Sequence, residues 1–531
     1  MKLKRNVATL LLGLLLLLLS VGFTIYHEEV IERIEALTMV QRSRVTLNAS
    51  ATERATGSAE TTSAATTAAA EKITDFSFVT AANNSVVAVV NPQATYSIGS
   101  TVNVVVQMHD AANRRKRSGG DFILARMYNE RLRAASAGEV ADHGDGSYGV
   151  ALRLLWAGDS KLSLTLVHPA EAVAVLDRVR ETIPNKIVFL GTFVSGKVKK
   201  VTNCNVHLRT DKEVCDLTDP ATGEPWSCEK PANMSCSALQ NFRSYNRQRS
   251  YVSKQEEALF ARGRLYVPLN VNYTVTTHPP NNTAEQKLPP CTAGLGNPSP
   301  SGFFWNGAWN SSYCAMRRFD TPQQVTECLK EKHIYFLGDS TIRQWWEYLV
   351  SFTKGFKYFD VHKHGKQQPK IAFDDKNKII LQWNCHGYPF ITQSLTFSRD
   401  VQYIAKQLDD ITGGKNTVIG LSLGAHFTAF PLAVFERRMR NIAASVEKLL
   451  SQSPDTKVIV KLANTRDVGT VQLFNNWNTY RLVQITLDVF KHLNVAFVDA
   501  WEMTAVVNSL SIHPTTGIVK EQLNVFLSFV C

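Results

Sequence analysis

The sequence predicts a multidomain chain: an amino-terminal antiparallel β-sandwich, a disulfide-rich middle segment, and a carboxyl-terminal three-layer α/β domain built on a parallel sheet. Three observations predict it. Short alternating or apolar runs, split by Gly, Asn and Asp turns, fill residues 73–196, the pattern of successive antiparallel strands. None of the nine cysteines falls before residue 200, and seven crowd residues 204–328. Beyond residue 331, strand-length apolar runs alternate with amphipathic segments of helical period, as in sheets with helical crossovers.

At the amino terminus, Lys2, Lys4 and Arg5 precede an uncharged, leucine-rich run over residues 7–26. About 20 apolar residues suffice to span a bilayer as a helix, and the basic flank orients the rest of the chain toward the lumen. The run over 1–26 reads as an uncleaved signal anchor or as a cleaved signal peptide, and its length favours the anchor. Either reading sends the chain into the secretory pathway. It becomes a single-pass type II membrane protein with a Golgi-like lumenal part, or a secreted protein after cleavage. Residues 27–72 turn into an Ala/Thr/Ser tract with too few large apolar groups to offset ordering entropy, hence a disordered stem. Six Asn-x-Ser/Thr sequons, at Asn48, Asn83, Asn233, Asn272, Asn281 and Asn310, suit that topology. A formal net charge of +12 ordinarily suggests nucleic acid, which the lumenal topology excludes; an acidic glycan fits instead.

The runs VVAVVNP, STVNVVVQMHD, GGDFILARMYN, DGSYGVALRLLW and SKLSLTLVHP give the 73–196 segment its strands. No cluster of catalytic residue types stands out there, so interaction or spacing is its expected role. Arg114-Arg115-Lys116-Arg117 reads as a solvated loop ahead of a processing site or an anion patch. In residues 197–330 the cysteines imply disulfides in an oxidising lumen. The odd total leaves at least one thiol unpaired, and the absence of Cys-x-x-Cys spacing disfavours zinc. Trp226, Trp305 and Trp309 are the expected packing anchors of this segment.

Residues 331–531 carry the chemistry. HIYFLGDSTIRQWW reads as a strand, a tight turn and a helix, with Ser340 at the strand's carboxyl end and the helix's amino end. There backbone N–H groups and the helix dipole can steady a developing anion, and a serine becomes a nucleophile if a base reaches it. Further strands are expected at 379–383, 418–423, 458–462 and 495–498. The segment 432–450 is an amphipathic helix, with Leu432, Phe435, Met439, Ile442, Val446 and Leu449 on one face. In parallel sheets ligands sit beyond the carboxyl ends of the strands. Those ends hold Asp339-Ser340, Asn384-Cys385-His386-Gly387, Gly424-Ala425-His426, Asn464-Thr465-Arg466-Asp467 and Asp499, with His513-Pro514 shortly after. His513 is the candidate base. His386 and His426 read equally well as hydrogen-bonded structural histidines.

With these residues in view, the carboxyl-terminal part resembles the PC-esterase domain, a branch of the SGNH/GDSL superfamily that includes plant polysaccharide O-acetyltransferases and a sialate O-acetyltransferase. The GDS followed by Arg343-Gln344-Trp345 is similar to that branch's first block. DGSYGVALRLLW…LVHP and CDLTDPATGEPWSCEKP resemble neurexophilin, whose likeness implies an Ig-like sandwich for 73–196. Together they match the neurexophilin and PC-esterase domain family over nearly the whole chain after the stem.

The resemblance implies Ser340 as nucleophile and His513 as general base. The superfamily's Asp three residues before that His is here Leu510, so Asp499 is the expected orienting acid, with Asp339 and Glu502 as substitutes. The oxyanion and substrate-binding elements would map to the Ser340 N–H, Gly387 and His426 (a position where relatives more often carry Asn), with Arg343 and Asp339 beside them. The implied activity is serine-dependent O-acetyl transfer or ester hydrolysis on glycans of secretory glycoproteins, sialic acids among them, through an acyl-serine. No bound cofactor or metal is implied; an acetyl donor such as acetyl-CoA would enter as substrate. The rival reading is a catalytically inactive binding protein, secreted or membrane-anchored, with a neurexin-like receptor as partner.

Overall fold

A computed structural model describes residues 75–246, 250–279, 287–360, 367–467 and 470–531. The leucine-rich run, the stem, Asn48 and Asn281 lie outside the described residues. Among the described residues, no helix is long and apolar enough to cross a membrane.

The β-rich segment is antiparallel. In Thr101–Gln107, Val102, Val104 and Val106 are buried while Thr101, Asn103 and Val105 face outward, because successive side chains of a strand point to opposite faces. Residues 134–138 of strand Ala134–Asp142 pair with Phe122–Asn129, and residues 139–142 pair with Ser147–Arg153. That shared strand joins the two groups, so the strands run as one hydrogen-bonded path and not as two unconnected sheets. Thr274–His278 continues that path, and Val267–Pro268 and Gly302–Trp305 pair onto it as branches of the same sheet. The expected boundary at residue 197 therefore does not divide the chain in space. The basic run is tied down as a loop: Arg114 pairs with Asp110 and Lys116 with Glu171.

The cysteine-rich part contributes to a six-stranded sheet that spans Ile187–Ser195, Val198–Asn205, Val214–Asp216, Ser227–Glu229, Leu239–Asn246 and the distant Thr396–Phe397. Cys204–Cys228 and Cys215–Cys236 staple it; Cys291–Cys314 and Cys328–Cys531 follow, and Cys385 stays unpaired and buried. Four disulfides fit an oxidising, secretory compartment.

The carboxyl-terminal sheet has seven strands: β1 (His333–Gly338), β2 (Lys357–Asp360), β3 (Lys370–Asp374), β4 (Ile379–Cys385), β5 (Thr417–Ser422), β6 (Lys457–Lys461) and β7 (Ala496–Val498). Their order is β2-β3-β4-β1-β5-β6-β7. β4, β1, β5, β6 and β7 are mutually parallel, as the five apolar runs predict, and β2 and β3 add an antiparallel edge the sequence reading lacks. Every residue of β5 is buried, as expected for a central strand covered on both faces. The main helices are α1 (Ser340–Thr353), α2 (Leu432–Gln452), α3 (Asn476–Phe490), α4 (Ala500–Ala505) and α5 (Thr516–Val530). Trp345 of α1 and Phe526 of α5 meet over Phe336 of β1. Cys328–Cys531 ties the end of α5 to the segment preceding β1.

Candidate active site

The site begins with the turn between β1 and α1. Gly338 has φ +149°, and a Cβ there would collide with the Ser422 carbonyl, so only glycine lets β1 pass this close to β5. Asp339 caps α1: its Oδ1 accepts from Thr341 N (2.8 Å) and Thr341 Oγ1 (2.7 Å), and its Oδ2 accepts from Ala425 N (3.0 Å). Ser340 follows at the head of α1, where the first N–H groups lack partners within the helix.

His513 reaches this serine from the loop between α4 and α5. Its Nε2 lies 2.8 Å from Ser340 Oγ. The loop is clamped through its backbone. Asn464 Nδ2 donates to Ile512 O (2.9 Å), Gln344 Nε2 to Pro514 O (2.9 Å) and Ser511 Oγ to His513 O (2.8 Å), while Thr465 Oγ1 donates to Ser509 O. Partial loss of hydration, with the positive charges of Arg343 and Lys461, holds the His513 pKa below the usual histidine value against the opposing pull of Asp339. The ring is therefore neutral at pH 7 and able to accept the serine proton.

Asp499 does not orient this histidine. Its Oδ1 accepts the Glu502 N–H at the start of α4 (2.8 Å) and its Oδ2 accepts from Asn297 (2.7 Å), and no hydrogen bond joins it to His513. A carboxylate at the end of β7 is used as a helix cap, and it lines a cavity of about 770 Å³ whose lining includes neither Ser340 nor His513. Glu502 is held by Ser299 Oγ, Ser301 N and Ser301 Oγ, Asp467 is hydrogen-bonded with Tyr266, and Asp339 is the cap described above. Among the described residues no carboxylate meets His513 Nδ1. The arrangement is a Ser–His dyad.

Arg343 lies beside the dyad with its guanidinium donating to Glu347 (3.0 Å) and Gln367 (2.8 Å). Gly387 is required because a Cβ would enter the Tyr403 ring. Its carbonyl accepts from His386 Nδ1 (2.7 Å), and His386 Nε2 meets His426 Nδ1 at 2.9 Å. A carbonyl only accepts, so Nδ1 of His386 carries the proton. Burial drives the His386 pKa well below the usual value and that of His426 down to about 4, so both rings are neutral at pH 7. His386 Nε2 is then unprotonated and accepts from Nδ1–H of His426, which leaves His426 Nε2 with a lone pair. This corrects the oxyanion role expected for His426, because a nitrogen without a proton cannot donate to an anion. The loop holding His386 is braced by the cysteine-rich part: Trp226 stacks on Tyr388 with centroids 4.3 Å apart, and Glu224 pairs with buried Arg438, which donates to the Tyr388 carbonyl.

The sequence reading did not single out the buried network beneath the dyad. Lys461 Nζ contacts Leu462 O (3.2 Å), Thr341 Oγ1 (3.4 Å) and Asn464 Oδ1 (3.5 Å), and Asn464 Oδ1 also accepts from Gln522, whose Oε1 accepts from Trp345. A lysine within the apolar run 458–462 was the available signal, since lysine is almost never fully buried without partners. Burial pushes its pKa down to about 8. Among the described residues no cluster of His, Cys, Asp and Glu suits a metal ion. Of the sequons, Asn83, Asn233 and Asn272 are exposed, and Asn310 is half-buried with its Nδ2 donating to Ala308 O.

Two family models meet on this chain. Residues 309–531 match the model described as NXPE family member 4-like, C-terminal domain, and residues 59–255 match the neurexophilin model. The chain belongs to the NXPE family. The two matches reproduce the order of neurexophilin-like and carboxyl-terminal parts. Solved structures with some likeness include a protein described as a GDSL-like lipase from Parabacteroides merdae, 11% identical, covering 38% of this NXPE-family chain and 96% of that one at TM-score 0.23. A peptidoglycan O-acetylesterase is 10% identical and covers 39% and 94%, also at TM-score 0.23. The strand order and the Ser–His contact carry the functional reading; likenesses at that level do not.

Proposed function

We propose that the protein is a serine-dependent O-acyl transferase or esterase whose acceptors are glycans of secretory glycoproteins, with acetyl as the acyl group. The observation that carries this reading is the 2.8 Å contact between Ser340 Oγ and a neutral His513 at the carboxyl rim of a parallel sheet. As Oγ bonds to the acyl carbon, His513 Nε2 takes its proton and then passes it to the departing group of the donor, leaving acyl-Ser340. An acceptor hydroxyl attacks next, gives its proton to His513, and Oγ leaves with that proton restored. The Ser340 N–H at the head of α1 is the oxyanion donor best supported by position. A glycan acceptor is supported by the secretory features and an acidic one by the net charge of +12, with sialic acids in that class and acetyl-CoA as a candidate donor substrate.

Expression of wild type and Ser340→Ala in cells, with glycan O-acetylation read by mass spectrometry, tests this. A gain with the wild type alone is expected; equal acetylation from both sinks it. That no carboxylate among the described residues meets His513 Nδ1 favours a second reading, a non-catalytic binding protein with a neurexin-like receptor, which an inert Ser340 would leave standing.

A further inference from the structure

The two buried histidines form a directed chain: Gly387 C=O accepts from His386 Nδ1–H (2.7 Å), and His386 Nε2 accepts from His426 Nδ1–H (2.9 Å). Nothing in this chain can be reversed while both rings are neutral, since its first link ends on a carbonyl. The rings cannot swing out of it, because Phe390 packs edge-on to His426 at 4.6 Å and Phe427 lies 5.5 Å from His386. The chain's open end is His426 Nε2, which has no hydrogen-bond partner among the described residues. Each donated bond enriches the next nitrogen, so that lone pair is a strengthened acceptor.

Its place is next to the dyad. The Ala425 N–H, one residue before His426, is held at 3.0 Å by Asp339, the residue before Ser340, and the ring lies within electrostatic reach of Asp339, Arg466, Arg343 and His513. An acceptor there is not redundant with His513. The attacking hydroxyl has one proton, and His513 takes it. A second acceptor nitrogen can be used only by a second donor on the same molecule.

We infer that His426 Nε2 accepts a hydrogen bond from a hydroxyl neighbouring the one that attacks, so that the site selects polyol acceptors, such as vicinal diols of a sugar, over simple alcohols. This rests on the acyl-serine reading above and adds to it the chemical class of the acceptor. His426 is thereby a substrate-binding residue. With its pKa down to about 4, it stays an acceptor throughout the pH range of the secretory pathway and does not compete with His513 for the proton.

The test uses the full chain, with 4-nitrophenyl acetate as donor and ethylene glycol or 2-methoxyethanol as acceptor. The two alcohols present the same primary hydroxyl, but only the diol has a second O–H to donate. Partition of the acyl group between alcohol and water is read from the ratio of acetyl ester to free acetate. The expected result is a diol preference of about tenfold beyond the twofold owed to its two equivalent hydroxyls, the scale of one hydrogen bond to a site group otherwise left unpaired. In His426→Leu that preference falls to about the twofold statistical value. A wild-type ratio near two, with a Ser340-dependent burst of nitrophenol, overturns the acceptor assignment and leaves the acyl-serine reading intact. No Ser340-dependent burst in the wild type overturns both. The wild-type comparison needs no variant, so a poorly folded His426→Leu does not rescue the inference.

Discussion

Replacing Asp339 by Asn tests the turn that assembles the site. The carboxylate serves three donors: Thr341 N and Thr341 Oγ1 on Oδ1, and Ala425 N on Oδ2. Asparagine can keep Oδ1 and the helix cap, since Asn and Asp cap equally well, but it places an NH2 group against the Ala425 N–H. An orphaned buried donor costs about 1–3 kcal/mol, and that is the expected loss of stability. The substitution also removes a negative charge that raises the His513 pKa. The histidine then holds its proton less tightly and stays neutral to lower pH. The acid limb of the pH–rate profile, where His513 becomes protonated and inactive, should move to lower pH. Urea unfolding gives the stability, and initial rates of 4-nitrophenyl acetate hydrolysis between pH 4 and 8 give the limb. A variant within about 0.5 kcal/mol of wild type, with an unmoved acid limb, would refute the reasoning at both points.

Three further outcomes rest on the same geometry. Gly338→Ala should prevent accumulation of folded protein in the secretory pathway, because its Cβ meets the Ser422 backbone at a φ of +149°; normal secretion of the variant would contradict this. Burial and nearby Asp499 raise the Glu502 pKa to about 8, so the folded state holds a proton that the unfolded state releases near the ordinary value of 4.5. The stability this confers is full below 4.5 and lost as pH rises through 8. Relative to Glu502→Gln, wild type should lose roughly 3 kcal/mol between pH 5 and pH 8, and a flat difference in urea midpoints would exclude it. Cys385 is unpaired, buried and pushed up to about 12, so iodoacetamide should modify it only in denatured protein, as read by peptide mass spectrometry.

Much of the carboxyl-terminal domain was legible in the sequence. The five apolar runs mark the parallel strands to within a residue or two, because strands buried on both faces read as continuous apolar stretches. The strand-end rule then brings Ser340 and His513 into one region. The parts that were not legible depend on direction and on distant contacts. Asp499 sits at a strand end as expected, yet its side chain turns to the Glu502 N–H and Asn297, and strand position does not fix which way a cap faces. The antiparallel edge strands β2 and β3 pair with each other and with β4, and their short half-exposed pattern resembles a loop. Thr396–Phe397 completes a sheet through its pairing with Asn241 and Phe242, some 150 residues earlier, which no local pattern announces. His426 offered an oxyanion donor on paper; its tautomer is fixed by His386 and the Gly387 carbonyl, forty positions away.

The most direct measurement is labelling of the full chain by a fluorophosphonate probe, with the modified peptide located by mass spectrometry. The account predicts one adduct, on Ser340, that vanishes in Ser340→Ala and falls at least about a hundredfold in rate in His513→Ala, the scale of a lost general base. An unlabelled Ser340 in folded wild type, or labelling that His513→Ala leaves unchanged, would contradict it.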